Sequence, residues 1–164
     1  MFAAGPIHVE GLSGDITIET AHSTVEVKNL EGAYLRTKTI DGPVTVVGAR
    51  NAHIYLHSVN GPISISNAPN AWVEADSTSG RIDYDGDPGL DGEFRLTSHS
   101  GDLEISIPSS ASVDIRTMSA EFGQFRRNLV TPTTQGTSFT GSAIANRSHF
   151  DLRSLTGRIH LKRP

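Results

Sequence analysis

The chain contains no cysteine. That excludes a disulfide framework, a thiolate nucleophile and thiolate zinc sites, and it fits either a cytosolic protein or a bacterial envelope protein. No run of about 18 apolar residues is present, so no membrane insertion by this segment is expected. The opening "MFAAGPIHVEGL" also lacks the basic and apolar regions of a signal peptide, which suggests a soluble chain or the excised part of a longer one. The catalytic motifs are missing too. "GLSG" at 11–14 does not have the spacing of a nucleophile elbow, and no glycine-rich loop leads a strand into a helix to cradle phosphate. Seven histidines are present without ligand spacing; His53 and His57 are four apart, but on a strand and its corner. No catalytic residue, metal or cofactor is therefore expected.

With 164 residues the chain suits one domain, able to bury a core without metal or disulfide staples. Its net charge of -4 is unevenly spread: residues 1–125 carry 7 basic and 17 acidic side chains, and residues 126–164 carry 7 and 1. The acidic body disfavours nucleic acid as a partner, whereas the basic end suits acidic partners or a neighbouring copy.

The dominant signal is internal repetition. "AYLRTKTIDGPVTV" from Ala33, "AHIYLHSVNGPISI" from Ala52, "AWVEADSTSGRIDY" from Ala71, "GEFRLTSHSGDLEI" from Gly92 and "ASVDIRTMSAEFGQ" from Ala111 start 19, 19, 21 and 19 residues apart. Each begins with a period-2 pair (Leu35/Thr37, Ile54/Leu56, Val73/Ala75, Phe94/Leu96, Val113/Ile115), and the first four carry a second, such as Val44/Val46 or Ile63/Ile65. Such pairs mark short strands with one buried face. Between them stand a small hydroxyl (Thr39, Ser58, Ser77, Ser98, Thr117) and then Gly42, Gly61, Gly80, Gly101 or Ala120. The pattern returns in "FDLRSLTGRIHL" near the C-terminus and in "IHVEGLSGDITI" around Gly14.

These features predict an all-β, single-domain β-solenoid (β-helix-like) over residues 1–164, with ~19-residue coils and two short strands per coil. The alternative is an antiparallel β-sandwich. Regular coils are expected over about 33–125, irregular N-terminal coils over 5–32, and a C-terminal cap with the last coil over 126–164. Because Gly14, Gly32 and Gly42 are 18 and 10 residues apart, the first coils are expected to slip by half a period. Met118, Phe122, Phe125 and Leu129 recur at helical spacing, predicting a capping helix over 118–130, followed by the loop "TPTTQGTSFTGS".

One stretch, "GRIDYDGDPGLDGEF" at 80–94, concentrates four aspartates and a glutamate among four glycines. Asp83, Asp85 and Asp87 match the first half of a calcium loop, but Pro88 and Phe94 stand where glycine and glutamate are needed. The stretch is expected to be a solenoid corner widened by two residues; weak calcium binding by Asp85, Asp87 and Asp91 is the competing expectation.

"TSHSGDLEISIPSSASVDIRTMSAEFGQF" and "GSAIANRSHFDLRSLTGRIHLKR" resemble the bacterial adhesin-like family of β-strand repeats, also called Toastrack-type domains. The likeness spans about residues 30–163. It implies a solenoid-like, non-enzymatic domain exposed at the bacterial cell envelope or surface, with an envelope polymer or protein as partner. A cytoplasmic location is the alternative. The family supplies no set of functional residues.

If the apolar pairs point inward, Tyr34, His53, Trp72, Glu93 and Ser112 form one outward column, and Arg36, Tyr55, Glu74, Arg95 and Asp114 the next. Tyr34, His53 and Trp72, with Tyr55 beside them, make an aromatic strip suited to sugar rings or a partner surface. On the other face run Arg81, Asp102 and Glu121, and beside them Thr45, Ser64, Asp83 and Glu104. Asp83 and Glu104 would be about 5 Å apart, the carboxylate separation of a retaining glycosidase. Three functions follow from these surfaces: a binding or envelope-sensing module, a self-assembling solenoid scaffold, and a carbohydrate-active β-helix enzyme.

Overall fold

The computed structural model describes residues 5–108, 113–119 and 148–162, and all the regular structure within them is β-strand. One sheet runs in the order β1 (Ile7–Glu10), β3 (Val25–Glu31), β5 (Val44–Arg50), β7 (Ile63–Ser66), β9 (Ile82–Asp85), β11 (Leu103–Ser106) and β14 (Ile159–Lys162). The second runs β2 (Asp15–Glu19), β4 (Tyr34–Thr39), β6 (His53–Ser58), β8 (Trp72–Ser77), β10 (Glu93–Ser98), β13 (Ser148–Ser154) and β12 (Val113–Ser119). Every neighbouring pair is parallel, as in β4 with β6 (Tyr34↔His53) and β5 with β7 (Val44↔Ile63). This is a β-solenoid and not an antiparallel sandwich, because a hairpin would reverse direction at each corner.

The inward rows are mainly apolar. Leu35, Ile54, Val73, Phe94 and Phe150 line one sheet, and Val44, Ile63, Ile82 and Leu103 line the other, all with almost no exposed surface. Full burial of one such side chain contributes about 1.5–3 kcal/mol before chain entropy is subtracted, so stacked coils stabilise one another.

The two corners solve different problems. At the first, a hydroxyl closes the bend: the Gly42 N–H donates to Thr39 Oγ1 at 3.1 Å, and Ser58 Oγ donates to the Gly61 carbonyl at 2.7 Å. Here Gly42, Gly61, Gly80, Gly101 and Gly157 lie in one column, and a methyl group on any of them would land on backbone of the coil beneath. At the second corner the chain needs positive φ, and two columns supply it with glycine or asparagine alone: Gly11, Asn29, Gly48, Asn67, Gly86, and Gly14, Gly32, Asn51, Asn70, Gly89. Asparagine tolerates the left-handed region better than other residues with a β-carbon.

These columns correct the expected half-period slip. Gly14 and Gly32 belong to the left-handed corner and Gly42 to the close-packed one, so their spacing is no guide to register. The early coils stack regularly, with Asp15↔Tyr34 and Val25↔Val44 each 19 apart and Ile7↔Val25 18 apart.

A larger correction concerns order. The repeat beginning at Ala111 does not stack on β10. Instead β13 pairs with β10 (Phe94↔Phe150) and β12 lies outside β13 (Ile115↔Phe150), while β14 pairs with β11 (Leu103↔Ile159). The C-terminal coil thus fills the place directly after β10 and β11. Met118 and Ser119 are in β12, and the rest of the expected helix and loop lies outside the described residues.

The widened corner receives this coil. Ser148, buried at the start of β13, accepts a hydrogen bond from the Gly92 N–H at 3.0 Å and approaches the carbonyls of Gly89 at 3.0 Å and Pro88 at 3.2 Å. Asp87 accepts from the Gly89 N–H at 2.9 Å, and Asn70 Oδ1 accepts from Leu90 at 2.9 Å and Asp91 at 3.3 Å. The Asp87 carboxylate is therefore engaged with the corner's own backbone. Behind the corner, Phe94 and Phe150 stack at 4.5 Å and 7°, and Tyr84 meets their edges at 4.7 and 5.4 Å.

Candidate functional site

The outer face of the second sheet carries the aromatic strip. Parallel register places Tyr34, His53 and Trp72 directly beside one another on β4, β6 and β8. Tyr34 and His53 lie 6.4 Å apart at 29°, and His53 and Trp72 5.8 Å apart at 38°. Tyr34 is 46% exposed, His53 is exposed and Trp72 is half-buried. Carboxylates flank the rings in register, Asp15 before Tyr34 and Glu93 after Trp72. Tyr55 stands in the adjoining column with the Arg36 guanidinium 5.6 Å from its ring centre. All four candidate residues thus share one face, with polar groups at both ends of the strip.

The inserted strand alters both columns at their far end. After Glu93 comes His149 in place of Ser112, and after Arg95 comes Asp151 in place of Asp114, whose register neighbour is His149. Asp151 is held on its own strand by Arg153, with contacts of 2.9 and 3.1 Å. Glu74 and Arg95 remain side by side.

A third column, Lys38, His57, Asp76 and Thr97, escaped the sequence reading, though counting two residues further along each strand locates it. Burial raises the Asp76 carboxyl above its ordinary value of 3.8, against the opposing effects of His57, Arg95 and a hydrogen bond from Thr97. A raised folded-state pKa means the fold prefers the protonated form. The contribution is therefore complete below the ordinary value and is lost as pH rises through the folded one. Asp76→Asn should accordingly raise the melting temperature at neutral pH by about 1–2 °C, a modest gain because the group is half-exposed. Thermal scans should show that advantage vanish below about pH 4.

On the opposite face Asp83 and Glu104 are register neighbours. Both are engaged by cations: Arg81 Nε donates to Asp83 at 2.6 Å, its other end reaches Glu104, and Lys162 also donates to Glu104. Lys162, with Arg81 and His160, holds the Glu104 carboxyl below its ordinary range. A glycosidase needs one carboxyl pushed the other way to act as general acid.

Stacked parallel coils with open, polar outer walls define a β-solenoid repeat domain. The chain belongs to the Toastrack DUF4097 family, whose profile matches residues 5–162. That span takes in the first coils as well as the stretch from residue 30 onward. No curated protein and no solved structure matches the chain. Among the described residues, no helix is long and apolar enough to cross a membrane.

Proposed function

We propose that this domain is a non-enzymatic binding module of the bacterial cell envelope or surface, which holds a carbohydrate polymer of the envelope along the strip Tyr34–His53–Trp72, with Tyr55 at its side. The observation that carries this reading is the three-ring column, one ring per coil, half-open to solvent and bounded by Asp15 and Glu93. Aromatic faces suit the C–H faces of sugars, and flanking carboxylates accept hydrogen bonds from hydroxyls. A repeating ligand fits a repeating surface. The non-enzymatic part of the proposal is supported by the cation pairing of Asp83 and Glu104 and by the lowered Glu104 carboxyl, the direction opposite to that of a general acid.

Trp72 is the only tryptophan, so its fluorescence reports on the strip directly. Titration of the protein with purified cell-wall polysaccharide should shift that emission, and Trp72→Ala should reduce cosedimentation with the polymer tenfold or more, about 1.4 kcal/mol. Trp72 is half-buried on the outer face, so the melting temperature should change little. Retention of the variant at the wild-type level would sink the strip as the site; capture of a protein partner in place of the polymer would replace the ligand class.

A further inference from the structure

The two ends of the solenoid are complementary halves. Among the described residues, β1 extends the first sheet at the start with no strand across from it, and β12 extends the second sheet in the same way at the other end. We propose that a second copy of this chain docks head to tail on the first, so that β1 of one copy and β12 of the other complete a single joining coil. The proposal is independent of the polymer-binding reading, because it uses the ends and not the walls.

Continuing the register of each sheet makes definite pairs. In the first sheet β14 meets β1 of the next copy, with Ile159 beside Ile7 and Leu161 beside Val9. In the second sheet β12 meets β2, with Ile115 beside Ile16. Among the described residues these six are the partly buried apolar residues that pack against the core, three at each end, and the joint matches them one to one. Lys162 would stand beside Glu10, opposite in charge. The backbone continues too: Val25 and Val44 N–H donate to the Pro43 and Pro62 carbonyls at 2.9 Å, and Ile159 N–H would donate to Pro6. Likewise Trp72 and His149 N–H donate to Ala52 and Gly92 at 2.9 and 2.8 Å, and Asp15 N–H would donate to Val113. Parallel edges that no described strand pairs template the addition of another strand.

Gly5 supplies an independent sign. It precedes Pro6–Ile7 as Gly42 precedes Pro43–Val44 and Gly61 precedes Pro62–Ile63. In the column of close-packed glycines each β-carbon position is closed by backbone beneath it, whereas a β-carbon on Gly5 meets nothing within 4 Å. At the joint Gly157 of the neighbouring copy would lie there. Ser23, the one non-glycine in the column among the described residues, shows that the requirement bends at one step.

The absence of native cysteine allows a direct test. In the joint His8 and His160 face each other about 4.8 Å apart, within the Cα separation of a disulfide. Within one chain they are six strands apart, roughly 29 Å, too far to bridge. The His8→Cys/His160→Cys protein, oxidised at moderate concentration, should yield a covalent ladder of dimers, trimers and larger species; either single variant, whose cysteine faces a histidine in the joint, should yield no ladder. Adding Gly5→Leu should abolish the ladder while leaving the melting temperature within about 2 °C, since the side chain enters open space in the monomer. A natively folded double variant that stays monomeric overturns the proposal, as does a ladder that persists undiminished with Gly5→Leu.

Discussion

Gly80→Ala is expected to abolish native folding. Its new methyl group would land on the Gly61 carbonyl oxygen, with the Gly61 carbonyl carbon and Ser77 Oγ both 2.8 Å away. Flexible side chains can yield to overpacking at a cost of about 1–3 kcal/mol, but here the obstacle is backbone locked in the ladders of two coils. Relief means separating the coils, which breaks the pairing of β6 with β8 and of β7 with β9. The loss should exceed about 4 kcal/mol, a large part of a typical domain's 5–15 kcal/mol. Circular dichroism and thermal unfolding of Gly80→Ala provide the measurement. A cooperative transition only a few degrees below wild type would mean that the coils can separate locally. Gly5→Ala, the same change where the new methyl group meets nothing within 4 Å in the chain, is the control and should unfold like the wild type.

Phe150→Ala should destabilise the protein by about 3–5 kcal/mol in urea unfolding. The ring stacks flat on Phe94 and meets the edge of Tyr84, and it is fully buried, so its removal leaves a cavity at the point where the C-terminal coil joins. A chain ended after residue 147 should fare worse and fail to unfold cooperatively, because β13 and β14 cover β10 and β11 while β12 packs on β13. Simple sequential stacking predicts the contrary, a slightly shorter but stable solenoid. The unfolding curve of the truncated chain therefore separates the two arrangements.

Much of the fold was legible in the chain. The alternation Ile54/Leu56 and Val73/Ala75 states which face is buried, since side chains on a strand alternate sides. The hydroxyl three residues before each glycine states where the chain bends. Equal spacing then places Tyr34, His53 and Trp72 together, because strands stacked in register bring equivalent positions side by side. The left-handed corner was misjudged for a local reason: Asn29, Asn51, Asn67 and Asn70 stand in for glycine there, so a count of glycines alone mixes two columns.

What the sequence by itself determined is the repeating unit: strand, bend, strand and corner, with inward and outward faces. That information is local, written in period-2 hydrophobicity and turn chemistry. The stacking order at the end was decided only in three dimensions. Every coil offers its neighbour nearly the same ladder of N–H and C=O groups, so backbone pairing alone does not distinguish the repeat beginning at Ala111 from the one at Ser148. The choice rests on contacts 55 or more residues apart in sequence, Phe150 against Phe94 and Ser148 in the widened corner at Pro88–Gly92. Only tertiary packing brings those surfaces together.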